Sequence, residues 1–564
     1  MKTAWGEKLN ADCVLPEYPR PQMRRESYVN LNGLWDYAFS ASAEHPDSWQ
    51  GKILVPFSPE TELSGVNRML QPGEYLWYQR NFAAPAGARV LLHFGAVDQI
   101  AEVFVNGISV GRHEGGYTAF TLDITCALKE ENILTVCVQD FSDGSIYATG
   151  KQRRKRGDIW YTPQSGIWQT VWLEAVPEVY IKNLVIVPRY DESAVCITAE
   201  ANEDVCCAVT FEGETYHGQT NGPIEVPVPN FRCWSCEDPY LYDVSVSVGE
   251  DKVESYFAMR KVEVKEDENG IKRIFLNGKP YFMNGLLDQG YWSDGLYTAP
   301  SDEALIFDIQ TMKDMGFNTL RKHIKVEPMR WYYHCDRLGM LVWQDMPSGG
   351  TEPYRFTTIS LPLVTGLHRK DSRYSVFARA DAAGRVQYDK ELKELVLQLR
   401  SVPSIVMWCP FNEGWGQFDA QNAVDTILKL DHTRLIDHAS GWHDQGIGEF
   451  KSEHLYFVKY RYHPDKKGRA VILSEFGGYN HQVSGHCFTG GNRYRGFKTP
   501  QALLEHYKSL MEDQILPAKE LGLAACIYTQ LSDVENEVNG LVTFDRSVVK
   551  LPGQAVREIN RRLR

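Results

Sequence analysis

Over roughly the first 260 positions the chain runs in short apolar segments separated by turn residues; beyond Asn277-Gly278-Lys279-Pro280 it alternates strand-length apolar runs with helix-length amphipathic stretches. Arg89–Gly95 and Ala101–Gly107 read as strands. The second ends on Asn106-Gly107, a pair that tolerates positive φ and so predicts a tight hairpin, with Ile108–Gly111 as the returning strand. Trp168–Glu174 alternates large apolar with polar residues, as a half-buried strand does. These features predict a jelly-roll β-sandwich over residues 1–177. Evenly spaced short strands follow at Val179–Ile181, Val195–Ala199, Ala208–Phe211, Tyr242–Val248 and Val253–Ala258, the rhythm of an immunoglobulin-like sandwich over 178–262. The competing arrangement is one larger sandwich formed by both regions.

In the last region Ser301 precedes Asp302-Glu303 and an apolar-periodic run, the signature of a capped helix. Leu341–Trp343, Ile405–Trp408, Arg434–Ile436, Val471–Leu473 and Ala524–Tyr528 read as buried strands, and Leu392, Leu395 and Leu399 share one helical face between two of them. Eight strand candidates in about 290 residues predict one (β/α)8 barrel, over 263–564.

Composition narrows the function classes. A formal net charge of −13 argues against a general nucleic-acid binder. One basic run, Lys151-Gln152-Arg153-Arg154-Lys155-Arg156, reads as a solvated loop, with an anionic-ligand or localisation patch as the alternative. Met1–Lys8 has no apolar signal-peptide core and no stretch of about 18 apolar residues occurs. The expectation is therefore a soluble, cytoplasmic chain without a membrane partner. The 12 cysteines are scattered, and the single Cys-x-x-Cys at Cys233 and Cys236 has neither a second pair nor a redox context, so free thiols are expected.

Barrels place their chemistry at the C-terminal ends of the strands, and this selects the candidates. Glu413 follows Ile405–Phe411 and Glu475 follows Val471–Ser474, each with glycine within two residues. Two facing carboxylates are the minimum for cleaving a glycosidic bond. Glu413, among Trp408, Phe411 and Trp415, has an apolar setting suited to a carboxyl that holds a proton at rest, whereas Glu475 needs hydrogen-bond donors to stay ionised, with Arg321 as the candidate. Other strand-end positions are Asp288, Arg321, His323, Asp345, Trp442, His454 and Tyr456, proposed to bind sugar hydroxyls, to stack on the ring or to orient the nucleophile. Each has a plainer alternative in core packing or a core ion pair. Asn412 is either a left-handed turn residue or a ligand.

Sandwich, immunoglobulin-like module and barrel, in that order, resemble glycoside hydrolase family 2. Leu31-Asn32-Gly33-Leu34-Trp35 and Val103–Gly107 look like its sugar-binding domain. Trp234-Ser235-Cys236-Glu237-Asp238-Pro239-Tyr240-Leu241-Tyr242 looks like its Trp-Ser-Pro-Glu-Asn-Pro-x-Leu-Tyr segment. The resemblance implies that Glu413 of Asn412-Glu413 is the acid/base, that Glu475 of Ser474-Glu475-Phe476-Gly477 is the nucleophile, and that Asn412 binds the hydroxyl beside the anomeric carbon. It further implies retention of configuration and removal of a terminal sugar, with an insertion such as Met346–Val376 closing the pocket.

Sugar identity is less plain. Arg321-Lys322-His323-Ile324-Lys325-Val326-Glu327-Pro328 departs from the Arg-x-x-His-Tyr-Pro of the family's β-galactosidases, and Trp343-Gln344-Asp345 looks more like a β-mannosidase. The β-glucuronidases carry Asn-x-Lys near the last strand, where this chain reads Glu535-Asn536-Glu537-Val538-Asn539-Gly540-Leu541 without the lysine. A neutral sugar, β-galactoside first, is thus expected; β-mannoside, β-glucuronide and a furanoside (α-L-arabinofuranoside-like) are alternatives. A glycosyl-transferring enzyme and a non-catalytic carbohydrate-binding protein are the rival readings. The carboxylates carry the chemistry, so no cofactor is called for, while a structural divalent cation and a homo-oligomer stay open.

Overall fold

The computed structural model of the chain describes all residues except 351–357, 359–361, 363–364 and 489–493. Much of the Met346–Val376 insertion therefore lies outside the described residues.

The N-terminal unit packs a six-stranded antiparallel sheet (strands 51–55, 33–40, 75–82, 132–139, 100–105 and 108–114 in spatial order) on a four-stranded one (28–30, 171–176, 89–94, 120–123). Alternating apolar residues from both sheets fill the space between them, among them Trp35, Tyr78, Leu92, Val103, Val136 and Leu173. The expected hairpin forms at Asn106 and Gly107, both at positive φ (55° and 79°).

The immunoglobulin-like unit faces a three-stranded sheet (181–189, 194–201, 223–227) with a four-stranded one (214–219, 206–211, 242–248, 251–257). Three details differ from expectation. The strand sought at Val179–Ile181 begins at Ile181 and runs to Arg189, Pro223–Pro227 is a strand outside the expected set, and Glu214–Gln219 is another. It lies at a sheet edge with no buried residue, so it carries no apolar alternation to read.

Eight parallel strands form the barrel: β1 (Met283–Asp288), β2 (Thr319–Lys322), β3 (Leu341–Asp345), β4 (Ile405–Cys409), β5 (Leu435–Ile436), β6 (Phe450–Leu455), β7 (Ala470–Gly477) and β8 (Leu523–Thr529). Their order is 5-4-3-2-1-8-7-6, a ring closed everywhere except between the two-residue β5 and β6. Met283, Trp343, Met407, Ile472 and Ile527 fill the lower interior. Outside, the helix Asp302–Asp314 is capped by Ser301, whose side chain accepts from the Ala304 N–H (3.3 Å). Leu392, Leu395 and Leu399 of the helix Ala382–Leu399 are all buried, as their spacing predicts. Among the described residues no helix is long and apolar enough to cross a membrane.

Both sandwiches are tied to the barrel. Trp234 is fully buried and its indole N–H donates to the Asp336 carbonyl (2.7 Å), while the Cys236 thiol donates to the Asn318 carbonyl (3.3 Å), a packing role for both. The 148–168 segment of the first sandwich lies over the barrel mouth. There the Thr149 and Gly150 N–H groups donate to the Ser348 carbonyl, and Thr162 N–H donates to Glu535 Oε1.

Candidate active site

Glu413 sits four residues past β4 in a sharp turn. Its own φ is 50°, and Gly414 and Gly416 follow at 72° and 63°. A non-glycine residue at positive φ stores strain that its surroundings must hold in place. Here the Glu413 N–H donates to the Ser440 carbonyl (2.9 Å), clamping the turn to the loop after β5. The left-handed residue is thus Glu413 and not its neighbour Asn412, against the turn alternative for Asn412. Glu475 lies within β7, all eight residues of which are buried. The register of β7 slips against both neighbours beside Glu475, and a slip of this kind re-aims a side chain out of the strict alternation of a strand.

The two carboxylates face each other across His454. Its Nδ1 lies 3.0 Å from Glu413 Oε1 and 3.6 Å from Glu475 Oε2, and its Nε2 lies 3.1 Å from Ser440 Oγ. One oxygen of each glutamate and the His454 nitrogen all fall within 4.8 Å of one another. The Tyr456 hydroxyl donates to Glu475 Oε2 and also meets Thr529 Oγ1 at 3.1 Å.

Below them Arg321, with no solvent exposure, ties four strand ends together. Its guanidinium forks onto both oxygens of Asp345 (3.0 and 2.9 Å) and donates to Glu475 Oε1 (3.2 Å), Asn412 Oδ1 (2.8 Å) and the Ser474 carbonyl (3.2 Å). That fork is geometry a lysine cannot supply. His323 Nδ1 in turn lies 3.0 Å from Asp345 Oδ2. With its oxygen held by Arg321, Asn412 keeps a buried amide nitrogen that has no partner among the described residues, a donor available to a ligand hydroxyl. Trp442 is buried beside the site, with its ring 6.2 Å from that of His454.

Charge follows this geometry. Burial pushes the Glu475 carboxyl up, but His454, Arg321, His323 and the Tyr456 hydrogen bond outweigh it and hold the group below the ordinary carboxylate range. Asp345 is likewise held down: burial is overcome by Arg321 and His323. Burial lowers His323, the Asp345 hydrogen bond opposes this, and the nearby Lys151 charge adds to the lowering.

Asp288 stands apart from this cluster. Its Oδ2 accepts from Lys322 Nζ (2.7 Å) and its Oδ1 from the Gly290 N–H (2.9 Å), in a buried ion network that also holds Glu327 and Lys325. The other strand-end candidates (Arg321, His323, Asp345, Asn412, Trp442, His454 and Tyr456) are joined to the two glutamates by the contacts above. Residue patterns gave no sign of Ser440 and Trp160, which lie in loops, or of Thr529 at the end of β8, whose contacts come only from tertiary packing. The ring of Trp160 lies 5.1 Å from that of Trp415.

Two sandwiches leading into a barrel with paired strand-end carboxylates is the architecture of a glycoside hydrolase, and comparison with known proteins agrees. The family model for the glycosyl hydrolases family 2 sugar-binding domain matches residues 67–177, the glycosyl hydrolases family 2 model matches 178–260, and the family 2 TIM-barrel model matches 262–478. The chain belongs to glycoside hydrolase family 2.

It is 25% identical over 392 residues to a β-galactosidase of Thermoanaerobacter pseudethanolicus, covering 64% of this chain and 47% of that protein. It is 23% identical over 447 residues to a β-glucuronidase of Streptococcus agalactiae, covering 73% and 71%. The chain thus spans about half the length of the first of these relatives. Among solved structures, a β-glucuronidase from an uncultured Clostridium superposes with a TM-score of 0.74 at 19% identity over 97% of this chain and 99% of that one. A β-galacturonidase from Eisenbergiella tayi bound to galacturonate superposes at 0.72 and 18%, over 96% and 99%. Identities this low establish the shared fold.

Proposed function

We propose that the protein is a retaining exo-glycosidase that hydrolyses a terminal β-linked sugar by double displacement. The observation that carries this reading is the facing of Glu413 and Glu475, with an oxygen of each within 4.8 Å across His454. A separation of about 5 Å leaves no room for the water that an inverting enzyme places between its carboxyls. Glu475, kept ionised by Arg321 and Tyr456, attacks the anomeric carbon. Glu413 gives a proton to the departing oxygen and then takes one from the water that releases the sugar. Asn412 Nδ2 holds the hydroxyl beside the anomeric carbon, and Trp442 provides a face for the ring.

The sugar expected from sequence is neutral, β-galactoside first, and the names of the relatives add β-glucuronide. Both are hexopyranosides with the same demand at the anomeric carbon. The test is product stereochemistry by NMR in the first turnovers of an aryl β-galactoside and an aryl β-glucuronide, with E475Q alongside. The expected product is the β-anomer, with turnover by E475Q lower by about three decades or more and its melting cooperative as in wild type. An α-anomer, or a folded E475Q variant with wild-type turnover, overturns the assignment.

A further inference from the structure

The basic run Lys151–Arg156 does not behave as one solvated loop. Arg154, Lys155 and Arg156 are exposed, Arg154 pairs with Asp143 (3.0 Å), and Arg156 lies 3.7 Å from Glu535. Lys151 turns the other way. It is only 5% exposed, and its Nζ lies 5.6 Å from the centre of the Tyr161 ring and 5.2 Å from that of Trp415. Trp415 is two residues beyond Glu413, and its ring stands 6.2 Å from His323, which in turn holds Asp345. The lysine therefore sits at the β2–β4 side of the mouth, close enough for its charge to bear on His323.

Among the described residues no acid pairs with Lys151, and its amine donates no hydrogen bond. The acids of the loop after the last strand make other contacts: Glu537 accepts from the Tyr161 hydroxyl and from Asn539, and Glu535 accepts from Thr162 N–H. A buried cation without a counter-ion is costly, and two aromatic faces offset that only in part. Three donors with no acceptor among the described residues, over the Trp415 ring that stands against His323, mark a place for an anion supplied from outside the protein. The grounds for expecting a neutral sugar were the missing lysine in the loop after the last strand, where Glu537 and Asn539 stand. The fold brings a lysine in from a different domain.

We propose that Lys151, carried by the N-terminal sandwich, reads an anionic substituent (a uronate carboxylate or a sulfate ester) on the sugar that Glu475 attacks. This rests on the glycosidase reading above, and its test separates the two.

Matched aryl β-glycosides (galactoside, galactoside 6-sulfate, galacturonide and glucuronide) are compared by kcat/KM on wild type, K151M and K151R. Wild type is expected to favour an acidic member over the neutral galactoside, and which acidic member it favours tells sulfate from carboxylate. The acidic-to-neutral ratio should fall about 100-fold in K151M, as loss of one partner of a buried charge pair does, and recover in large part in K151R. Methionine matches the length of lysine between the two rings, and K151Q replaces it if K151M does not melt as wild type does. A preference of wild type for the neutral galactoside, or an unchanged ratio in K151M, overturns the proposal.

Failure of wild type on every glycoside counts against the glycosidase reading, and calorimetry with free glucuronate, galacturonate, galactose 6-sulfate and galactose then decides on Lys151. Tighter binding of an acidic sugar by wild type that is lost in K151M supports it; equal affinities in the two proteins overturn it.

Discussion

The immunoglobulin-like sandwich and the barrel mouth bury their side chains equally well and fill the space with opposite chemistry. In the sandwich, Ile197, Val209, Val226 and Val246 are fully buried and every one is apolar. In the mouth, the equally buried residues are Arg321, Asp345, Lys322, His323 and Glu475. Apolar burial stabilises at about 25 cal/mol per Å². Buried ion pairs at best break even against their desolvation. The sandwich is thus a source of stability, whereas the mouth is an expense that the rest of the fold meets to hold its charges in fixed places.

The contrast is broken most forcefully by R321M. It leaves Asp345 and Glu475 without their shared cation, and should cost about 3–5 kcal/mol in urea unfolding together with most of the activity. A stable and active R321M would show the ion cluster to be dispensable. In the sandwich, I197A should cost about 2–5 kcal/mol through the cavity it leaves, with kcat/KM per folded molecule unchanged. Loss of catalysis in that variant at a temperature where it is fully folded would mean that the two regions are coupled.

The smallest effect is a titration. The folded-state pKa of Glu475 is depressed, so its ionised form contributes stability that is present above the ordinary carboxylate range and is lost as pH falls through the lower folded value. The acid limb of kcat/KM should sit low for the same reason. Y456F removes one hydrogen bond that favours the ionised form, so the acid limb should move to higher pH. A shift the other way, or none, would remove Tyr456 from the set of groups that hold Glu475 ionised.

Much of the barrel was legible because a strand buried on both faces is a continuous apolar run, and the residue that ends it marks the mouth. Glu413 and Glu475 stood out on that ground before any contact was known. The edge strand Glu214–Gln219 was not legible, since an exposed strand needs no apolar face. Asp288 met the same strand-end criterion as Asp345. Yet the structure gives its carboxylate to Lys322, while Asp345 joins Arg321, which also holds Glu475. A strand end has two sides, and position along the chain does not say which one a side chain takes.

The sequence by itself determined the succession of two sandwiches and a barrel, the family, and the two carboxylates, because each of these is written in local periodicity and short motifs. Only the tertiary structure decided that His454 lies between Glu413 and Glu475, that Arg321 gathers four strand ends, and that Lys151 faces the mouth while its basic neighbours face water. The reason is physical: these contacts join segments that are tens to hundreds of residues apart, and their geometry is set by how sheets and loops pack, which residue order alone does not specify.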